Sequence, residues 1–303
     1  MKATIQTLCE TPAIDKERSW LAIGNDLFKG RLTSLVLLTT LVGFYMGTHG
    51  SMDIWLMVHT LLGTALVACG AAALNQYLER DFDANMRRTR NRPIPSGELQ
   101  PDTVLLVGGL GAGLGLVYLA IAVNLITSVL GAVTLASYLF IYTPLKRITP
   151  LNTVVGAIPG ALPPLMGWTA VRGEVSIGGW SLFAILFFWQ LPHFLAIAWQ
   201  YREDYAKAGF MMLPVVDPQG IRTGSQTVSH TLGLLTISLF PVLFSLAGWF
   251  YLFGALVLGG VFLFFAVQFS RDLTASKARQ LFFVSILYLP LLLGLMVCDK
   301  IRG

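Results

Sequence analysis

Charge is what this sequence has least of. Asp, Glu, Lys and Arg together make 12% of its 303 residues, against roughly 25% in soluble globular chains. So little charge cannot cover a water-soluble fold of this length, and hydrophobic residues reach 55% with a mean hydropathy of +0.68. Cysteine is almost as scarce. Cys9, Cys69 and Cys298 show neither a CxxC nor a metal-ligand spacing, which excludes a disulfide scaffold and a thiolate metal site and leaves three inert thiols. The 30 Gly and 14 Pro are scattered without a period, excluding a collagen-like or low-complexity chain. What remains is a polytopic membrane protein. Its excess of Lys and Arg (21) over Asp and Glu (16) reports membrane topology rather than a nucleic-acid partner.

A hydrocarbon core about 30 Å thick needs about 20 apolar residues of helix. Nine such runs are present, near 32–48, 55–75, 103–122, 125–142, 152–171, 178–199, 228–248, 250–270 and 280–298. They are continuously apolar rather than alternating, which excludes a β-barrel. The expected fold is therefore all-α: one domain over 1–303, a bundle of nine transmembrane helices behind an N-terminal arm, 1–30. With nine spans, every Lys and Arg except Arg172, Lys300 and Arg302 falls on the side of the N-terminus. That asymmetry predicts a cytoplasmic N-terminus and a periplasmic C-terminus in a bacterial inner membrane, with no cleaved signal at the start.

Polar residues gather in the connections on that basic side. The first directly continues span 2. If the helix persists beyond the apolar run, Asn75, Glu79 and Asp83 stack at i, i+4 and i+8 on one face. Carboxylates so placed repel unless a cation lies between them, and Mg²⁺ fits: it takes one or two carboxylates, keeps waters and completes its shell with substrate phosphate oxygens. Arg87, Arg88, Arg90 and Arg92 follow, suited to holding the same phosphates by charge-assisted hydrogen bonds. A solvated helix end with locally paired acids is the alternative, and Asp81, off that face, is expected to hold Arg88. The second connection continues span 6, where His193, Gln200 and Asp204 fall on one face of a continuous helix, bringing a second acidic helix end to the first. Between them, Tyr142 and Lys146-Arg147 follow span 4. Pro159, Pro163 and Pro164 interrupt span 5, so freed carbonyls must face protein or a cavity. Gly109, Gly111, Gly113 and Gly115 in span 3 form overlapping GxxxG patterns suited to close helix packing. An expected cytoplasm-facing cavity thus collects all the candidate residues.

The run Asn75-Gln76, Glu79, Asp83, Arg88-Thr89, Arg92-Pro93 resembles the first acidic motif of the UbiA-type intramembrane prenyltransferases. Asp81, Met86, Tyr142 to Arg147, Trp189-Gln190 with Pro192-His193-Phe194, and Met212 to Pro214 are similar to one branch of that family, which farnesylates haem. The departure is Gln200-xxx-Asp204 where many members carry a second DxxxD. The resemblance implies Mg²⁺-dependent transfer of the farnesyl group of farnesyl diphosphate to a vinyl group of haem b, with water added, giving haem O for a terminal oxidase or for conversion to haem A. In that frame Glu79, Asp83 and Asp204 hold Mg²⁺, with Asn75 a ligand or orienting amide. Arg88, Arg92, Lys146, Tyr142 and Arg202 bind the diphosphate end of the substrate. His193 is a haem-iron ligand or a general base, or else a buried histidine satisfied by a bond to a neighbouring carbonyl. An aromatic or quinone acceptor is the nearest alternative, and a transporter of an anionic metabolite, which requires broken helices in matching halves, a more distant one.

Overall fold

The computed structural model describes residues 18–301. Cys9 and most of the N-terminal arm, with Lys2, Lys16 and Arg302 of the charge count, lie outside the described residues. Among those described, the elements are α1 (Trp20–Leu27), α2 (Gly30–Gly47), α3 (Ile54–Asp83), α4 (Pro101–Ala122), α5 (Leu125–Ala136), a π-helical turn (Ser137–Tyr142), α6 (Thr143–Leu145), α7 (Asn152–Arg172), α8 (Ile177–Gln200), α9 (Arg202–Lys207), α10 (Leu213–Val216), α11 (Ile221–Ile237), α12 (Phe240–Leu243), α13 (Trp249–Asp272) and α14 (Ala275–Cys298). Among the described residues, nine stretches are long and apolar enough to cross a membrane. Their outer faces expose Ile121, Phe253 and Phe264, while Trp20, Trp55 and Trp249 stand exposed at helix ends, where amphipathic rings favour the membrane–water boundary.

Two spans differ from the sequence expectation. α3 runs on to Asp83, well past the apolar run, because no Gly or Pro falls between Asn75 and Asp83 and Thr89 Oγ1 donates to the Asp83 carbonyl at 2.9 Å, satisfying a terminal acceptor. The seventh span covers Ile221–Leu243 rather than 228–248. Its polar start is helical because Asp217 accepts from the backbone N–H and hydroxyl of Thr223. Thr227 and Thr231 return their hydroxyls to the carbonyls four residues back, so these residues enter an apolar bundle with no polar atom wasted.

Without a hydrophobic drive between helices, lipid-embedded spans associate through close packing. α3 and α4 do so across Gly70, Gly108 and Gly115: a Cβ at Gly70 would stand 2.5 Å from the Ala112 backbone nitrogen, and one at Gly115 would stand 2.8 Å from that of Val67. Of the four glycines expected to pack, Gly115 lies on this seam and Gly111 approaches Gly70, whereas Gly109 and Gly113 face open space; Gly108 and Ala112 complete the contact. At the α2–α7 crossing a Cβ on Gly43 would overlap the Pro164 carbonyl. Gly43→Val is expected to abolish the monodisperse folded peak on size-exclusion chromatography in detergent, since backbone cannot yield as a side chain can. α7 stays helical through its three prolines.

The main core joins α8, α11, α13 and α14 around Leu182, Tyr251, Phe262, Tyr288 and Leu292. A second space opens where α3 and α7 diverge, flanked by α2, α5 and α8.

Candidate active site

That space is a cavity of about 310 Å³. Its charged and polar residues concentrate at one end: Lys29, Asn75, Glu79, Asp83, Arg88, Arg92, Tyr138, Tyr142 and Lys146 all line it. The rest of the wall is mainly apolar or small, including Val36, Ala71, Gly160, Pro163 and Met166. The continuation of α3 puts Asn75, Glu79 and Asp83 on one buried face.

Each acid meets a base. Lys146 Nζ donates to Glu79 Oε1 at 2.8 Å, and Arg92 donates to Asp83 Oδ2 at 2.6 Å. Burial disfavours the Lys146 ammonium, but the Glu79 carboxylate together with Tyr142 and Tyr138 outweighs it and raises the lysine above its ordinary range. Lys146 also lies 4.7 Å from the centre of the Tyr142 ring, an added cation–π attraction. Asp83 Oδ1 is buried with no hydrogen-bond partner, a costly state for a carboxylate oxygen. A hard cation relieves it. Glu79, Asp83 and phosphate oxygens form the donor set Mg²⁺ prefers, one or two carboxylates with the remainder from substrate and water. The site fits that ion.

Lys29, which sequence reasoning used only for topology, completes the cluster. It joins α1 to α2 with a left-handed backbone, φ 49° and ψ 54°, unusual for a residue with a side chain. That turn sends its ammonium to Asn75 Oδ1 at 2.6 Å and to the Tyr138 hydroxyl at 3.2 Å. Burial, with Arg92 nearby, pushes Lys29 down to about 7. Asn75, which also donates to Thr143 Oγ1 at 3.2 Å, is held here as an orienting amide. Four basic side chains therefore face two carboxylates, and Arg88, Arg92 and Lys146 alone outnumber those carboxylates, an excess of positive charge that favours a polyanion.

The second motif is placed differently. α8 ends at Gln200, and Tyr201 at φ −110°, ψ 21° breaks the helix before α9. His193, Gln200 and Asp204 therefore do not share a continuous face. Tyr205 lines the cavity, whereas Asp204, half-buried beside it, does not, and no cluster of three acidic, His or Cys residues suited to a metal occurs among the described residues. His193 faces α14, not the cavity. Its Nδ1 lies 2.7 Å from Ser285 Oγ, and its ring stacks between Trp189 and Phe282 at 5.1 and 5.0 Å. Its neighbours Gln190 and Phe194 line the cavity instead. Arg202 lies 4.4 Å from the Trp199 ring centre, away from the cavity wall. Arg88 bonds Tyr205 Oη at 3.3 Å and approaches the Tyr201 ring, so Asp81 does not hold it; the exposed Asp81 pairs loosely with Arg80 at 3.8 Å. Tyr138, Gln190 and Tyr205 were missed because nothing in their local spacing distinguishes them from other aromatic or amide residues of a span.

Residues 36–287 match the model of the UbiA prenyltransferase family. A protoheme IX farnesyltransferase of Solibacter usitatus is 46% identical over 284 residues, covering 91% of this chain and 97% of that protein. One of Salinibacter ruber is 44% identical over 273 residues, covering 90% and 96%. Among solved structures, a digeranylgeranylglyceryl phosphate synthase superposes with a TM-score of 0.78 at 14% identity, covering 92% of this chain and 98% of the other. A UbiA homologue from Archaeoglobus fulgidus bound to GPP and Mg²⁺ gives 0.64 at 17% identity, covering 90% and 99%. The shared fold, the family match and the identity across nearly the whole length agree: this chain is a multi-pass membrane protein of the UbiA prenyltransferase family.

Proposed function

We propose that the protein transfers the farnesyl group of farnesyl diphosphate to a vinyl group of haem b, with addition of water, to form haem O. We place it in a bacterial inner membrane with the charged end of the cavity toward the cytoplasm, the side of soluble diphosphate and Mg²⁺. The observation that carries this reading is a cluster of four bases and two carboxylates at one end of an otherwise apolar cavity. It occurs in a chain 46% identical to a protoheme IX farnesyltransferase.

The residues divide the work. Lys29, Arg88, Arg92 and Lys146 draw the diphosphate of the donor to the charged end, trading contacts with Glu79 and Asp83 for phosphate oxygens. Glu79 and Asp83 would hold Mg²⁺, which when bound neutralises charge developing on the departing diphosphate. Asp204, next to the cavity-lining Tyr205, is assigned to the same ion by the family pattern alone. With bases preset around the leaving group, the allylic C–O bond ionises into a site that needs little reorganisation. Tyr138 and Tyr142, whose rings stack at 5.9 Å, line the same end and wall the allylic carbons beside the bases. The apolar wall keeps water from it until the vinyl carbon attacks; water then captures the cation left on the haem substituent. Haem b meets the donor where the cavity opens, because the prenyl chain fills the interior. The product then passes to a terminal oxidase or to an enzyme that oxidises haem O to haem A.

Diphosphate release from farnesyl diphosphate by the purified protein tests this. Release that requires both haem b and Mg²⁺ and stops with EDTA is expected. Release driven instead by an aromatic acceptor contradicts the haem assignment, and the absence of release with every acceptor contradicts the transferase.

A further inference from the structure

The geometry points to Met166 as the floor of the prenyl cavity, the side chain that fixes how long a donor the protein accepts. This rests on the transferase reading and extends it to a specificity no motif records. The end of the cavity away from the charges is lined by Thr64, Val67, Thr134 and Met166. Along α3, Asn75 and Thr64 are separated by about 16 Å at about 1.5 Å per residue, the reach of an extended chain of three isoprene units. Along α7, Met166 lies about 15 Å beyond Gly156 by the same rise, and Gly156 packs on Tyr142 at the charged end.

Met166 closes the space because its thioether bridges two helices. Its Sδ sits 4.0 Å from Thr134 Oγ1, and its terminal methyl lies against Gly131, where an added Cβ would stand 3.3 Å away. Behind it is no void but a small packed cluster with Val67 and Leu119, flanked by Leu116, Leu130 and Leu135. Shortening Met166 therefore lengthens the cavity at its blind end and leaves the charged end untouched. The unbranched methionine is also a side chain whose substitution cores tolerate well.

The test is donor competition. Wild type and variants receive equal farnesyl and geranylgeranyl diphosphate with haem b and Mg²⁺, and porphyrin masses are compared. Met166→Ala is expected to move the product ratio toward the longer donor by about tenfold or more, the discrimination a few methylenes command in an apolar pocket. Met166→Phe is expected to move it toward geranyl diphosphate in the matching competition, and Met166→Leu to leave it near wild type. Displacement of labelled farnesyl diphosphate by the longer or shorter donor, read without acceptor, must show the same order. An unchanged ratio and unchanged displacement in folded Met166→Ala overturn the assignment, as do unchanged values in Met166→Phe should the alanine variant fail to fold. A wild type that binds the donors but makes no prenylated porphyrin refutes the transferase reading, while the displacement order still judges Met166.

Discussion

Asp83→Asn is expected to lower prenyl transfer by about a thousandfold, the upper range for deleting one preorganised electrostatic partner of a developing charge, while the protein still elutes as a folded species in detergent. The amide keeps the volume of the carboxylate and an acceptor for Arg92, now at 2.6 Å. What it loses is the negative charge and the anionic character of Oδ1, the one carboxylate oxygen at this site that is buried without a partner. If Oδ1 is kept open for a cation, the Mg²⁺ concentration needed for half-maximal rate should rise together with the loss of turnover. A variant that turns over normally at the same Mg²⁺ would show that Asp83 serves Arg92 alone.

Lys146→Met should damage both fold and activity, and a second substitution should separate the two. Lys146 and Glu79 are both largely buried and paired at 2.8 Å. Removing one partner of a buried pair strands the other charge at a cost of about 3–5 kcal/mol, so the single variant is expected to melt well below wild type. Combining it with Glu79→Gln removes the stranded carboxylate, and most of the lost thermal stability should return. Activity should not return, because the double variant lacks both a base for the diphosphate and an acid for Mg²⁺; turnover stays about a hundredfold or more below wild type. Melting curves and rates on the three proteins decide this. An active double variant would reduce the pair to a structural bridge.

These predictions lean on the part of the site that was legible in the sequence. Nine spans follow from continuous apolar runs, and Asn75, Glu79 and Asp83 share a face because helical spacing holds as long as the helix does. α3 holds to Asp83. α8 does not reach Asp204, since the chain turns at Tyr201, and there the same argument failed: a periodicity predicts a common face only across an unbroken helix. His193 failed differently. Its depth in the span is as expected, but its direction was decided by Ser285 and Phe282 on α14, partners nearly a hundred residues away that local spacing does not announce. Lys29 was legible as a charge and illegible as a ligand, because its reach into the cavity depends on a left-handed turn between two helices at a residue that is not glycine. The seventh span shows the converse. Its Ser and Thr residues lowered its apparent hydropathy, yet Thr227 and Thr231 satisfy their hydroxyls within the helix.

The most direct test of the whole account is the mass of the porphyrin formed when purified protein in detergent is given haem b, farnesyl diphosphate and Mg²⁺, with an EDTA control. The account predicts a Mg²⁺-dependent product heavier than haem b by one farnesyl group and one hydroxyl, the second proton of the captured water being released. Haem b recovered unchanged from folded protein, with farnesyl diphosphate intact, would contradict it.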